Sequence, residues 1–176
     1  MASSAAKRYA EAVFSLAEEQ GTLDAWQHDL GLLNDLMSDE RAAAFFANPN
    51  VAEAKKRAVV DELLAKAQPE ARNLAHLLIE RHRMEIVPDL YRLYSEAHLA
   101  AQGIAVADVT TAEPLSPEEQ DLVREQLARI VGKKIQLRLH TDPSIIGGVI
   151  ARVGDMLIDG SVIAQLRRLR DRLAVA

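Results

Sequence analysis

The sequence predicts a mainly α-helical protein: an amino-terminal six-helix bundle followed by a small α/β domain with a short sheet and a carboxy-terminal helix. In roughly the first hundred residues, apolar residues recur with helical spacing and the loops between segments are short. After Gly103 the apolar residues alternate with polar ones, which indicates strands. The chain is 49% hydrophobic, 27% charged and 4% aromatic, as expected for a folded, helix-rich protein. We therefore predict two domains, 1–103 and 104–176.

The first three predicted helices are bounded by turn and cap residues. The first spans about Ser4–Gln20, and Gly21 follows it as a C-terminal cap. Thr22 is predicted to cap the second helix, whose apolar stripe ends at Met37. A short third helix covers Glu40–Ala47 and stops at an Asn-Pro-Asn turn.

Two prolines help to place the next three helices. The fourth is predicted over Val51–Ala67. Pro69 opens the fifth, which runs to about Arg83, because proline is favoured at the first helical position. Pro88 opens the sixth, which closes at Gly103. Long helices joined by short loops predict an antiparallel bundle.

The second domain is predicted to alternate strands with helices. The first strand runs from Ile104 through the Val-Thr-Thr segment. Ser116–Glu119 is a capping box with proline at the first helical position, and it opens a helix that ends near Val131. Residues 135–140 alternate between apolar and polar types, which predicts a half-buried strand.

The end of the chain is predicted to form a hairpin and a final helix. After an Asp-Pro turn at 142–143, two short strands over 148–153 and 156–159 flank a Gly-Asp hairpin turn. Ser161 is then predicted to cap the final helix. The apolar stripe of that helix comprises Val162, Leu166, Leu169 and Leu173.

The distribution of charge argues against a nucleic-acid partner. The net charge is −5, and residues 1–40 contain eight acidic and two basic residues. A nucleic-acid-binding protein needs a large basic face. The one basic cluster is Arg167, Arg168, Arg170 and Arg172, and its position near a helix C-terminus accounts for it. A helical RNA-binding or transcription-factor domain stays open as the alternative function.

No pattern in the sequence indicates catalysis, a cofactor or a metal site. Cysteine is absent. His76 and His82 are six residues apart, so on one helix they point roughly 120° apart. The Gly147-Gly148 pair lacks the Lys-Ser/Thr of a phosphate loop, which favours turn and close-approach roles for these glycines. A small enzyme is a further alternative function. It would require a convergent polar cluster, which the sequence does not show.

Membrane contact is expected only through partners. No apolar run approaches the roughly 20 residues that a membrane-spanning helix needs. The acidic residues near the start, among them Glu11 and Glu18, do not fit a signal or transit peptide.

The first and fifth helices carry more apolar surface than packing in a bundle needs, roughly 200° of arc against about 100° for an ordinary surface helix. On the first helix, one stripe comprises Ala6, Ala10, Val13 and Ala17, and a second comprises Ala5, Tyr9, Ala12 and Leu16. On the fifth, Ala71, Leu74, Ala75 and Leu78 face the core, with Leu77 and Ile79 beside them. Either these helices are central in the bundle, or the surplus faces form a groove for a partner helix. The small alanines favour the groove.

Several of these segments together resemble a known family. Tyr9–Ala17, Trp26 and Phe45–Pro49 resemble the opening of F-type ATP synthase delta subunits, the family of the mitochondrial oligomycin-sensitivity-conferring protein. The more specific similarity lies in 147–162, where glycines, aspartates and a serine have the family's spacing. Those residues are Gly147, Gly148, Gly154, Asp155, Asp159, Gly160 and Ser161.

The resemblance implies a non-catalytic stator subunit, which links the peripheral stalk to the catalytic head and holds the head against rotation during proton-driven ATP synthesis. Its six-helix domain would bind the amino-terminal helices of the alpha subunits, and its smaller domain would contact the b subunits of the stalk. By position, the family's alpha-binding surface maps to Tyr9, Ala12 and Leu77, with Leu16 and Leu74 as neighbours. The missing presequence suggests a bacterial member, peripheral on the cytoplasmic face of the plasma or inner membrane.

Overall fold

The computed structural model of the protein describes residues 4–166 and residue 170. The chain divides into two compact units, Met1–His98 (unit 1) and Leu99–Ala176 (unit 2). The secondary structure is mainly helical with one small four-stranded sheet and a helix that begins at 162, which confirms the predicted class at this level. Leu169 and Leu173, and three of the four clustered arginines, Arg167, Arg168 and Arg172, lie outside the described residues. The domain boundary predicted at 103/104 stays a prediction.

Unit 1 is built from α-helices, and the last of them continues past its end. Their bounds are α1 Ser4–Gln20, α2 Leu23–Ser38, α3 Glu40–Ala47, α4 Glu53–Leu63, α5 Pro69–Glu80 and α6 Val87–Ala101. A 3₁₀ turn, Met84–Ile86, precedes α6. The bounds predicted for α1 and α3 are confirmed.

Several predicted helix ends are wrong. The fourth helix is shorter than Val51–Ala67, and the sixth begins one residue before Pro88 and ends two residues before Gly103. The fifth stops at Glu80 instead of Arg83, because His82 adopts a left-handed conformation with φ 50°. This turn lets the Arg83 N–H donate to the Leu78 carbonyl at 2.8 Å, which closes the helix end.

The predicted capping role of Thr22 is also wrong. The Thr22 side chain makes no capping hydrogen bond, and its backbone (φ −112°, ψ 25°) is outside the extended region that capping residues adopt. The end of α1 dictates this conformation, since the Thr22 N–H donates to the Ala17 carbonyl at 2.9 Å. The Thr22 carbonyl still accepts the first hydrogen bond of α2, from Trp26 at 3.0 Å.

The core of unit 1 joins helices that are distant in sequence. Trp26, Leu78 and Leu90 are almost fully buried in it. The Tyr94 hydroxyl on α6 donates to the Leu23 carbonyl of α2 at 3.0 Å. Burial, with a smaller contribution from the charge of Asp24, raises the pKa of Tyr94 to about 12, so the hydroxyl keeps its proton at neutral pH.

Unit 2 is a sheet covered on one face by a helix. The elements are β1 Ile104–Thr111, α7 Pro117–Val131, β2 Lys134–Thr141, β3 Val149–Val153 and β4 Met156–Asp159, with a 3₁₀ turn, Pro143–Ile145, before β3. The strand order is β2-β1-β3-β4; β1 and β2 are parallel, and the other pairs are antiparallel. The capping box at Ser116 and the left-handed Gly132 bound α7 as predicted. Leu127 of α7 belongs to the same buried cluster as Ala107 and Val109 of β1.

Candidate partner-binding surface

The two apolar stripes of α1 differ in burial. Every member of the first stripe (Ala6, Ala10, Val13 and Ala17) is buried in the core. In the second stripe, Tyr9 and Leu16 are half-buried and pack against that core, whereas Ala12 is exposed. The second stripe is therefore a shallow apolar surface, in which the small Ala12 lies between the larger side chains of Tyr9 and Leu16.

The predicted site residues on α5 fall on either side of the core boundary. Leu77 leaves 37% of its surface exposed, and it is one of two large apolar residues of unit 1 exposed to this extent in the part that the structure describes. Leu74 is buried and belongs to the core. Leu74 therefore lies beneath the surface, and Leu77 is the exposed leucine of α5.

One flank of α5 is buried inside unit 1. Ile79, which the sequence places beside the core stripe without deciding its burial, is 2% exposed. Ile79, Phe46 and Met84 line one cavity, because α3 and the 3₁₀ turn before α6 close over this side of α5. The surplus apolar arc of α5 is thus divided: the Ile79 side packs inside unit 1, and the Leu77 side stays open.

Polar contacts fix the position of α5 against α4. His76 Nε2 lies 2.9 Å from Asp61 Oδ1, and Arg57 lies 3.8 Å from Glu80. These contacts join residues on both sides of Leu77 along the helix to the same neighbouring helix. Leu77 is therefore presented on a helix whose orientation is set, although each exposed pair contributes at most about 1 kcal/mol.

The motif residues of unit 2 have structural roles. Gly148 has φ 86°, and a Cβ there would lie 2.5 Å from the Gly160 carbonyl oxygen and 2.9 Å from Ser161 Cα. The Gly160 N–H donates to the Val149 carbonyl at 2.9 Å. Gly154 has φ 58° in the hairpin turn. The predicted turn and close-approach roles are confirmed for Gly148 and Gly154.

The remaining motif residues start the final helix. Asp159 Oδ1 accepts the Ser161 N–H at 2.9 Å, and Ser161 Oγ accepts the Ala164 N–H at 3.2 Å. The predicted cap at Ser161 is confirmed. Gly147 anchors the same turn through its carbonyl, which accepts the Val162 N–H at 3.0 Å. Asp155 lies exposed in the hairpin turn. The motif thus holds the first turn of the helix against β3.

The sequence matches the family described as ATP synthase delta (OSCP) subunit over residues 5–173. The chain belongs to this family. A Dehalococcoides mccartyi protein named ATP synthase subunit delta is 40% identical over 169 residues, covering 96% of this chain and 93% of the relative. A Geobacter protein of the same name is 37% identical over 171 residues, covering 96% of this chain and 95% of its own length.

A solved structure supports the fold of this delta-family chain. A chain in the mitochondrial ATP synthase hexamer of Toxoplasma gondii superposes with a TM-score of 0.76 at 24% identity, and the match covers 98% of both chains. No helix among the described residues of the delta-family chain is long and apolar enough to cross a membrane. The described residues also contain no cluster of three or more metal-ligating side chains.

Sequence reasoning missed one buried cation in the delta-family chain. Lys56 is 4% exposed and lines a cavity of about 640 Å³. Its Nζ donates to the carbonyls of Phe46 at 2.7 Å and Asn48 at 2.9 Å, which caps the C-terminus of α3. Helical periodicity could have found it, because Lys56 lies four residues before the buried Val60 and therefore on the core face of α4.

Proposed function

We propose that this delta-family chain is a non-catalytic stator subunit of an F-type ATP synthase. It links the peripheral stalk to the catalytic head and holds the head against rotation during proton-driven ATP synthesis. Such a tether needs affinity and stiffness and uses no reacting group. The proposal rests on family membership together with the exposed apolar residues Ala12 on α1 and Leu77 on α5.

The six helices of unit 1 form the bundle that binds the amino-terminal helices of the alpha subunits, and unit 2 contacts the b subunits of the stalk. In this arrangement the protein is peripheral on the cytoplasmic face of a bacterial plasma or inner membrane, and it reaches the membrane only through the complex. The superposition on a chain of a solved ATP synthase supports an assembly role of this kind.

The observation that carries the alpha-binding proposal is the exposure of Ala12 and Leu77 beside a well-packed core. An amphipathic helix binds by placing its apolar face in a groove. Ala12 has almost no side chain, so a partner helix can approach α1 closely between Tyr9 and Leu16. Leu77 supplies an apolar contact on α5.

The test measures the binding of a peptide from the amino terminus of the alpha subunit to the full chain by calorimetry. Ala12→Asp and Leu77→Asp each place a charge where the partner would exclude water. Since each 1.4 kcal/mol is tenfold in affinity and an unpaired buried charge costs more than that, we expect binding to fall by about tenfold to a hundredfold. Thermal melting checks the fold, and exposed substitutions should change stability by about 0.5 kcal/mol or less.

Two controls are available, one on α4 at the same exposure as Leu77 and one on α1, the helix that carries Ala12. Val59 on α4 is also 37% exposed, so Val59→Asp introduces the same charge outside the proposed surface. Ser15→Asp does the same on an exposed position of α1. Both controls should bind the peptide like the parent chain. The site assignment fails if Ala12→Asp and Leu77→Asp keep native melting curves and full peptide affinity.

A further inference from the structure

One edge of the sheet in unit 2 has backbone N–H and C=O groups that pair with no strand in the described part of the chain. β2 is the outer strand on one side, and all eight of its residues pair with β1 on the other side. No second strand pairs with β2 in the part of the chain that the structure describes. The opposite edge, β4, has four residues. β2 is thus the longer of the two edges, and an unpaired edge is a template for another strand.

A groove lies directly beside this edge. A cavity of about 540 Å³ opens between α7 and β2. Its apolar lining is Ile104, Ala128, Ile135 and Leu137, and its polar lining at the rim is Arg124, Glu125, Lys134 and Gln136. Side chains alternate along a strand, so Leu139 lies on the same face of β2 as Ile135 and Leu137. Ile135 is 6% exposed, whereas Leu139 is 40% exposed. A strand added to β2 would place alternate side chains over this groove and cover Leu139.

The other face of β2 is basic. It carries Lys134, Arg138 and His140, at alternate positions with Gln136. Oδ1 of Asp108 on β1 lies 3.2 Å from Nη1 of Arg138 and 3.5 Å from Nε2 of His140. Lys134 has no carboxylate partner among the described residues, and Lys133 precedes it in the chain. This face therefore carries more positive than negative side chains, and an acidic neighbour complements it.

We propose that the edge of β2 is a binding site for an extended segment of a partner protein, which adds a fifth strand to the sheet. The segment has apolar side chains on the face towards α7 and acidic side chains, alternating with them, on the face beside Lys134 and Arg138. Backbone hydrogen bonds supply affinity, and the two unlike faces supply specificity. This site is separate from the alpha-binding surface on α1 and α5 and does not depend on it.

A second copy of this chain does not fit the same edge. If two β2 strands paired in antiparallel fashion, the basic side chains of one strand would stand opposite those of the other. Like charges directly across a strand pair are destabilising. The basic face therefore selects against pairing between copies and in favour of an acidic partner.

The first test uses a fluorescein-labelled peptide of about ten residues that alternates glutamate and valine, titrated into the full chain and followed by anisotropy. We expect it to bind at least about tenfold more tightly than the matched lysine–valine peptide, because several exposed charge pairs are reversed together. Two further versions carry N-methyl groups on either the odd or the even residues. Strand addition predicts that one version loses binding and the other keeps it. No binding of the glutamate peptide, or equal binding of both methylated versions, overturns the proposal.

The second test uses variants of the full chain with matched controls. Leu139→Asp should lower the affinity of the chain for the glutamate peptide by about tenfold, and Lys134→Glu should lower it by about fivefold. Leu122→Asp, on a leucine of α7 that is 61% exposed, and Lys66→Glu, on an exposed lysine of unit 1, introduce the same charge changes elsewhere and should bind like the parent.

Two readouts connect binding to the edge itself. Amide hydrogen exchange within residues 134–141 should slow when the peptide is added, and the chain should sediment as a monomer. If Leu139→Asp fails to fold, Lys134→Glu still decides the question, because its side chain is exposed. A dimer that Lys134→Glu strengthens would assign the edge to a second copy and overturn the proposal, as would full peptide affinity in both variants.

Discussion

The two units of the chain differ in how many of their large apolar side chains are exposed. Unit 1 buries a large continuous core, and in its described part only Val59 and Leu77 among the large apolar residues are exposed, each at 37%. The described part of unit 2 has a core of five buried residues. Outside that core, eight large apolar residues among those that the structure describes in unit 2 are exposed: Leu122, Ile130, Leu139, Ile146, Met156, Leu157, Val162 and Leu166.

From this difference we infer which unit gains more stability from a partner. Burial of apolar surface is the main term that stabilises a fold, at roughly 25 cal/mol per Å². Unit 1 buries most of its large apolar side chains in its own core, so the partner-binding surface that we propose for it is small and centres on Ala12 and Leu77. In the part of unit 2 that the structure describes, the core is small and many large apolar side chains are exposed, and domains of about this size are marginal when alone. We therefore expect partners to stabilise unit 2 more than unit 1.

The largest expected effect comes from the core of unit 1. Leu33 is fully buried, and Leu33→Ala should lower the free energy of unfolding by about 2–5 kcal/mol through lost burial and the remaining cavity. Leu157 in unit 2 is 65% exposed, and Leu157→Ala should change that free energy by about 0.5 kcal/mol or less. Urea unfolding followed by circular dichroism measures both. Equal effects of the two substitutions would contradict the contrast between the units.

A smaller effect is expected at Gly148, where backbone strain and close packing coincide. Gly148→Ala adds a Cβ at 2.5 Å from the Gly160 carbonyl oxygen at φ 86°, and it should destabilise unit 2 by about 1–3 kcal/mol. Gly154→Ala is the matched control, because it has φ 58° with open space around the added atom, and it should cost about 1–2 kcal/mol. Hydrogen exchange of unit 2 amides reports both. A Gly148→Ala protein no less stable than Gly154→Ala would refute the close-approach role.

The smallest effect concerns pH and the start of α7. The Glu119 carboxylate accepts the Ser116 N–H at 2.8 Å, and this bond, with the Ser116 side chain, holds the pKa of Glu119 below 4.5. A depressed folded-state pKa gives stability that is present at neutral pH and is lost as pH falls from about 4.5 through the folded-state pKa. Glu119→Gln should therefore be less stable than the parent at pH 7, and the difference should shrink in acid. A difference that stays constant with pH would exclude this contribution.

The sequence predicted well those features that local chemistry determines. The bounds of α1 and α3, the capping box at Ser116 and the Gly-Asp hairpin turn follow from residues adjacent to one another. The buried stripe of α1 follows from helical periodicity. Burial by distant neighbours was not accessible in this way. Ile79 lies on the edge of the α5 stripe, and only the packing of α3 and the following turn decides that it is buried.

The same limit applies to the candidate sites. Periodicity predicted that α1 and α5 carry surplus apolar surface, but the exposure of Leu77 and the burial of Leu74 depend on which helices pack against α5. The edge position of β2 could not be predicted, since strand order is set by long-range pairing between β1 and β2. At Thr22, local preference competes with the neighbouring helix. The end of α1 fixes the backbone conformation of Thr22, and this overrides the preference of threonine for capping α2.

The most direct test of the central claim is amide hydrogen exchange on the whole chain, with and without the b subunits of an ATP synthase stalk. In the free chain, amides in the core of unit 1 should exchange more slowly than those in the sheet of unit 2, because the larger core opens less often. Adding the b subunits should slow exchange in residues 104–176 and leave the core of unit 1 unchanged. Exchange in unit 2 that is already as slow as in unit 1, and that does not respond to the b subunits, would contradict the account.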